Sequence, residues 1–349
     1  MKKYLFILSV ATLGFAACSN DDVVAENNNA LANQQKEIAL FSLANSSTRS
    51  GSGAQSGTLD ASYDMYVVAY QTTPNAGDYF GETQFTYNST PSKWTGATPR
   101  YWPLAVSTLN FLAVTSGPTG TTRTWGTSSE NLANKVVVAM ADNSTAQNDM
   151  MWAVGQGSVT QPTAGGALSF PVVDMAFNHT LSWIKFTEKV TSTASGKIKL
   201  KSITLNGAKY AGTLTVTCSD YNTTPTTANT THTWTPSGED MNIVVPGWEG
   251  ASAALTNTDA AAPVGNGLMI VPQETAGFAS FTVTYQIQNP ATNEWQDYTY
   301  TYIPTTPANR IVAQGYQYIY NITFNLNEIQ IAPTVATWSD GGSQNITIQ

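Results

Sequence analysis

Charge is scarce in this chain: Asp, Glu, Lys and Arg together make up 11% of its 349 residues, against about 25% in an ordinary soluble protein. Apolar residues still reach 42%, so Thr, Ser, Asn, Gln and Tyr must supply most of the polar surface, the profile of an extracellular all-β protein. Basic residues are the scarcer sign, 15 against 23 acidic ones for a formal net charge of -8. That balance excludes a broad phosphate-neutralising surface, and with it nucleic acid as a partner. Two histidines and two cysteines leave no material for a Cys/His zinc cluster, a Cys-x-x-Cys redox pair or a disulfide framework, so no metal and no cofactor is expected. His179 and His232 lie far apart and neither sits in an H-x-x-x-H spacing, so each reads as a hydrogen-bonded structural histidine.

Catalytic motifs are missing as well. There is no G-x-S-x-G elbow, G-x-G-x-x-G turn, phosphate loop or H-E-x-x-H, and Gly51-Ser52-Gly53 has no strand and helix around it. Glu239 and Asp240 are adjacent, which on a strand sends them to opposite faces, so they read as solvated charges and no acid/base pair can be named. An enzyme is not expected. The nine tryptophans, among them Trp94, Trp102, Trp152, Trp234, Trp248 and Trp295, have the rings to stack on sugars, but their scatter reads as packing.

What is present begins with a targeting signal at residues 1–17. Lys2 and Lys3 precede an apolar stretch, Tyr4 to Phe15, too short to span a bilayer stably, and Phe15-Ala16-Ala17-Cys18 follows. This resembles a bacterial lipoprotein signal, with Phe15 where that motif usually has Leu. The resemblance implies cleavage before Cys18, a diacylglyceryl group on its thiol and an acylated amine, so that lipid anchors the chain without a spanning helix. The alternative is an ordinary secretory signal with an incidental cysteine. Residues 18–36 read as a flexible tether, and the acidic pair Asp21-Asp22 resembles the signal that sends Bacteroidetes lipoproteins to the outer-membrane surface.

The remainder reads as strands. Leu214, Val216 and Cys218 alternate with Thr213, Thr215 and Thr217, a period of two that makes Cys218 a core thiol. Phe281 to Ile287, Tyr298 to Tyr302 and Tyr318 to Leu326 repeat the pattern. Earlier candidates are Tyr63 to Tyr70, Thr108 to Val114, Lys135 to Met140, Ala167 to Val173 and Trp183 to Phe186. Between them Gly117 to Gly120, Gly155-Gln156-Gly157 and the Thr-rich piece from Asn222 to Thr235 read as turns or loops. With no sustained period of 3.6 and no crossover helices, the fold class is all-β, built of antiparallel Greek-key sandwiches.

The order of motifs resembles the fimbrillin family of Bacteroidetes, the subunits of strand-exchanged (type V) pili and their relatives. Its carriers are Ile38 to Leu43 with Thr48-Arg49, Arg100-Tyr101-Trp102-Pro103, and Asn148 to Ala153. Phe177 to Ser182, Leu268 to Gln273, Gly315 to Ile322 and Trp338 complete the set. The resemblance implies two transthyretin-like sandwich domains in tandem, 37–175 and 176–327, with the junction between Gly165 and Thr180. It also implies a removable first strand, here carrying Ile38, Leu40, Phe41 and Leu43. An arginine-specific protease would cut between Arg49 and Ser50, in a stretch with no apolar side chain to hold it down. The alternative is that Arg49 is a loop cation. In residues 328–349, Ile329, Ile331, Val335, Ile346 and Ile348 mark candidate donor strands around a hairpin turn at Asp340-Gly341. Periodicity does not separate donor strands from internal ones, because both bury the same faces.

The favoured expectation is a fimbrial structural subunit, exported as an outer-membrane surface lipoprotein, cut at Arg49 and joined to other fimbrial subunits by strand exchange in support of adhesion. The alternative is a monomeric lipid-anchored adhesin or glycan-binding module of the same fold, taking a host or bacterial surface ligand.

Overall fold

The computed structural model describes residues 36–44, 59, 61–127, 135–218, 226, 229–248, 250, 253–256, 262–304, 310–325, 329–337 and 340–345. Their regular structure is all β, in twenty-one strands. Seven strands close on themselves as a barrel: β1 (Ala39–Ala44), β2 (Met65–Thr73), β3 (Gly77–Ser89), β4 (Ser92–Gly96), β5 (Ser107–Thr115), β8 (Met151–Val159) and β9 (Val173–His179), in the order β1-β4-β3-β2-β5-β8-β9. Four more, β6 (Thr122–Trp125), β7 (Lys135–Met140), β12 (Ala211–Cys218) and β13 (Thr230–Ser237), form a sheet in the order β13-β12-β7-β6.

The later strands build two further sheets. One runs β14-β11-β17-β18 through β11 (Ile198–Ala208), β14 (Met241–Val244), β17 (Ser280–Gln288) and β18 (Trp295–Tyr302). The other runs β15-β10-β19-β20-β21 through β10 (Ser182–Val190), β15 (Ala262–Pro263), β19 (Tyr316–Phe324), β20 (Ile329–Thr337) and β21 (Asp340–Asn345), with β16 (Leu268–Ile270) also paired to β10. Their facing residues, including Phe186, Leu200, Phe281, Tyr320 and Phe324, make one core.

Burial explains the sequence patterns. β12 alternates strictly, with Gly212, Leu214, Val216 and Cys218 inward, because only one of its faces meets a core. β5 does not alternate: Leu109, Phe111 and Ala113 face the barrel interior, while Leu112 and Val114 belong to a second core with Val138, Trp152, Leu214 and Val216. A strand buried on both faces reads as a continuous apolar run.

That second core lies under β13-β12-β7-β6, a sheet assembled from distant parts of the chain. β7 pairs antiparallel with β12 from Lys135 opposite Thr217 to Met140 opposite Gly212. The 175/176 junction expected from the resemblance falls inside β9, and β12 and β13, which follow it, pair with β7, which precedes it.

Four local expectations are corrected. Ala167 to Val173 is not a strand: Ser169 makes only an isolated bridge to Thr160, Pro171 has no amide to donate, and β9 begins at Val173. Gly155-Gln156-Gly157 lies within β8 and is no turn. A Cβ at Gly157 would meet the Trp102 ring at 2.5 Å and Val173 at 2.8 Å, so glycine there serves close packing. Thr230 to Thr235 belongs to β13, where Trp234 stands opposite Leu214. Asp340 and Gly341 open β21, with Asp340 paired to Thr337, so they do not form the turn.

Candidate functional site

β1 is hydrogen-bonded along both edges. It runs antiparallel to β4, with Ala39 opposite Thr95 and Leu40 opposite Trp94, and parallel to β9, from Leu40 opposite Val173 to Ala44 opposite Phe177. Just before it, the Ile38 amide donates to the Arg100 carbonyl at 2.7 Å and the Trp102 amide to the Lys36 carbonyl at 2.9 Å. β1 is thus the stave that joins β4 to β9.

The period of two decides what β1 contributes. Ile38, Leu40 and Ser42 point inward, and the two aliphatics are fully buried among Leu59, Trp94, Trp102, Phe111 and Met175. Burying them contributes roughly 3–6 kcal/mol gross. Phe41 points outward and is 37% exposed, so Ile38, Leu40, Phe41 and Leu43 do not form one apolar face. The side chain of Leu43 lies outside the described residues. Ser42, in their place, carries the strand's inward polar contact: its hydroxyl accepts from Trp94 Nε1 at 2.9 Å and donates to the Leu59 carbonyl at 3.4 Å. Ser42 and Leu59 were not among the sequence candidates. Counting by twos from Ile38 finds Ser42, but no local signal points to Leu59.

Of the other sequence candidates, Cys18, Arg49, Ser50, Ile346 and Ile348 lie outside the described residues. β20 pairs with β19 along its length, from Ile329 opposite Phe324 to Thr337 opposite Tyr316, and Ile331 joins the core between the two later sheets. The side chains of Ile329 and Val335 are not described. β21 forms the outer edge, in register with β20 at Thr334–Asn345, Val335–Gln344 and Thr337–Asp340.

The remaining chemistry-bearing groups serve packing or line a surface cleft. His179 is buried with Nδ1 2.9 Å from Asp149 Oδ2, a contact between the end of β9 and the residues just before β8. Cys218 is buried and donates to Asn229 Oδ1 at 3.6 Å. Asp240 meets Lys209 at 3.0 Å. Among the described residues, no three His, Cys, Asp or Glu side chains are grouped to hold a metal. A cleft of about 370 Å³ beside β13 is lined by Lys209, His232, Trp234, Pro272, Glu274 and Gln314. Burial pushes the His232 pKa down, while the nearby Glu274 charge opposes the shift.

Comparison with protein families matches the one described as fimbrillin-like to residues 27–338. Comparison with curated proteins gives no match. Among solved structures, a protein from Bacteroides uniformis assigned to cell adhesion is 19% identical, with 86% of this chain and 99% of that chain covered and a TM-score of 0.46. A second such protein, from Bacteroides ovatus, is 16% identical over 87% of this chain and 98% of its own, with a TM-score of 0.49. The tip fimbrial protein Mfa3 from Porphyromonas gingivalis is 10% identical over 87% of this chain and 100% of its own, with a TM-score of 0.41.

Proposed function

This chain belongs to the fimbrillin-like family, and on that premise we propose that it is a structural subunit of a surface fimbria, exported as a lipoprotein and polymerised by strand exchange. Family membership supports a fimbrial, non-enzymatic role at the cell surface, in company with other fimbrial subunits. In our reading, Cys18 carries the lipid that delivers the precursor to the outer membrane. Cleavage between Arg49 and Ser50 then frees β1, and a strand from another subunit's tail takes its seat.

The observation that carries this reading is the double pairing of β1. Among the described strands it is the one that bridges β4 and β9, and it lies N-terminal to Arg49, so a single cut severs it from everything it packs against. Its departure would leave an apolar channel flanked by two unpaired edges, which a strand of matching period would fill. The donor would come from residues 329–349. β21 would detach first, because it holds the edge of its sheet while β20 is clasped by β19.

Treatment of purified precursor with a trypsin-like protease tests the proposal. The expected result is a new N-terminus at Ser50, loss of the β1 segment and ladders that survive heating in detergent. A chain uncut at Arg49 overturns the maturation step.

The second reading, a monomeric lipid-anchored adhesin or glycan-binding module, is favoured by the cleft beside β13. There Trp234 lies among hydrogen-bonding side chains suited to sugar hydroxyls. Clean cutting with monomer persisting favours this reading.

A further inference from the structure

β1 supplies the barrel with more than apolar surface. The Ser42 hydroxyl, 1% exposed, stands between the Trp94 indole N–H of β4 and the Leu59 carbonyl, and both of those residues are fully buried. Trp94 and Leu59 follow Arg49 in the sequence, so both stay with the body of the protein when β1 departs. The vacated seat then holds one buried donor and one buried acceptor, each of which lost its partner with the same side chain.

The chemistry of the replacement follows from that pair. An aliphatic side chain would fill the space and leave both groups unpaired, which is more costly than the gain from its own burial. A carboxylate accepts and cannot donate when ionised, an ammonium does the reverse, and each brings a charge into an apolar channel. A hydroxyl accepts and donates through one oxygen.

We propose that Trp94 and Leu59 form a specificity site for the incoming strand. The strand accepted must carry Ser or Thr in the place of Ser42 and an aliphatic two residues before it, in the place of Leu40, a spacing that Val335 and Thr337 have in the tail of this chain. The inference rests on the strand-exchange reading and deepens it, because it fixes both the composition and the register of the partner. A slip of two residues would bring an aliphatic onto the indole N–H, and a slip of one would turn the apolar face outward.

The test uses the full chain with a site-specific protease sequence inserted between Ser50 and Gly51, so that cutting does not depend on Arg49. After cleavage, the protein is incubated with labelled peptides copying Lys36–Ala44, either unchanged or carrying Ser42→Thr, Ser42→Ala or Ser42→Val. Uptake is followed by fluorescence anisotropy, and the Trp94 indole N–H by its proton resonance and exchange protection. We expect the Ser and Thr peptides to enter comparably and to protect the indole proton. The Ala and Val peptides should bind at least about 5- to 150-fold more weakly, the loss for just one of the two buried polar groups left unsatisfied, and leave that proton unprotected. Equal uptake of the Val and Ser peptides overturns the specificity site and leaves strand exchange standing. No uptake of any peptide, the β1 copy included, overturns both.

Discussion

Glu188 places a carboxyl on β10 where little water reaches it. The residue is 6% exposed, lies opposite Ala262 of β15 and Ile322 of β19, and burial pushes its pKa up to about 7 from the ordinary 4.5. Between those values the folded protein holds a proton that the unfolded chain has released, so stability falls as pH rises from about 4.5 to about 7. Glu188→Gln is expected to remove that slope. Allowing for partial solvent screening, it should raise stability at pH 8 by about 1–3 kcal/mol and leave it nearly unchanged at pH 4. Urea midpoints of the two proteins at both pH values check this.

At the scale of the element, the tail separates into two strands of unequal consequence. β21 is an edge with sparse pairing, whereas β20 covers β19 and sends Ile331 into the core. Ending the chain after Ser339 is expected to shift the thermal midpoint by only a few degrees. Ending it after Leu326 should lower stability by at least the roughly 1.5–3 kcal/mol of a buried Ile side chain, plus the ladder bonds to β19. Thermal unfolding of the two truncated chains distinguishes these outcomes. How legible each strand was in the sequence depended on how many of its faces are covered. β12 and β17 have one covered face and showed their alternation openly. β8 hid behind Gly155 and Gly157, because its glycines mark a neighbour's close approach, which local composition cannot distinguish from a turn. β13 read as loop since Thr231, Thr233 and Thr235 are solvated, and its pairing with β12 makes it a strand. In the candidate site, Ile38 and Leu40 were legible from apolar character, Ser42 only from its phase, and Leu59 from nothing nearby.

Across the whole molecule, the sheet β13-β12-β7-β6 ties early strands to late ones. Leu214 and Val216 share a core with Leu112, Val138 and Trp152, so neither part of the chain completes that core alone. Unfolding in urea is therefore expected as a single transition, with tryptophan fluorescence and far-UV circular dichroism giving the same midpoint. The fluorescence reports on both regions at once, since Trp94 and Trp102 lie in the barrel core and Trp152 and Trp183 in the shared one.

The parallel pairing of β1 with β9 also governs the order in which the polypeptide can acquire its shape. β1 is made before every other strand of the barrel, yet its partner β9 is made after all of them, so the earliest strand must wait while the rest of the ring is synthesised and folds. Contacts so distant along the chain are slow to form, and until they do the nascent protein exposes an incomplete ring. A chaperone or nearby peptide would meet it in that interval. The seam whose second strand is synthesised last is the one we propose is reopened when a fibre grows.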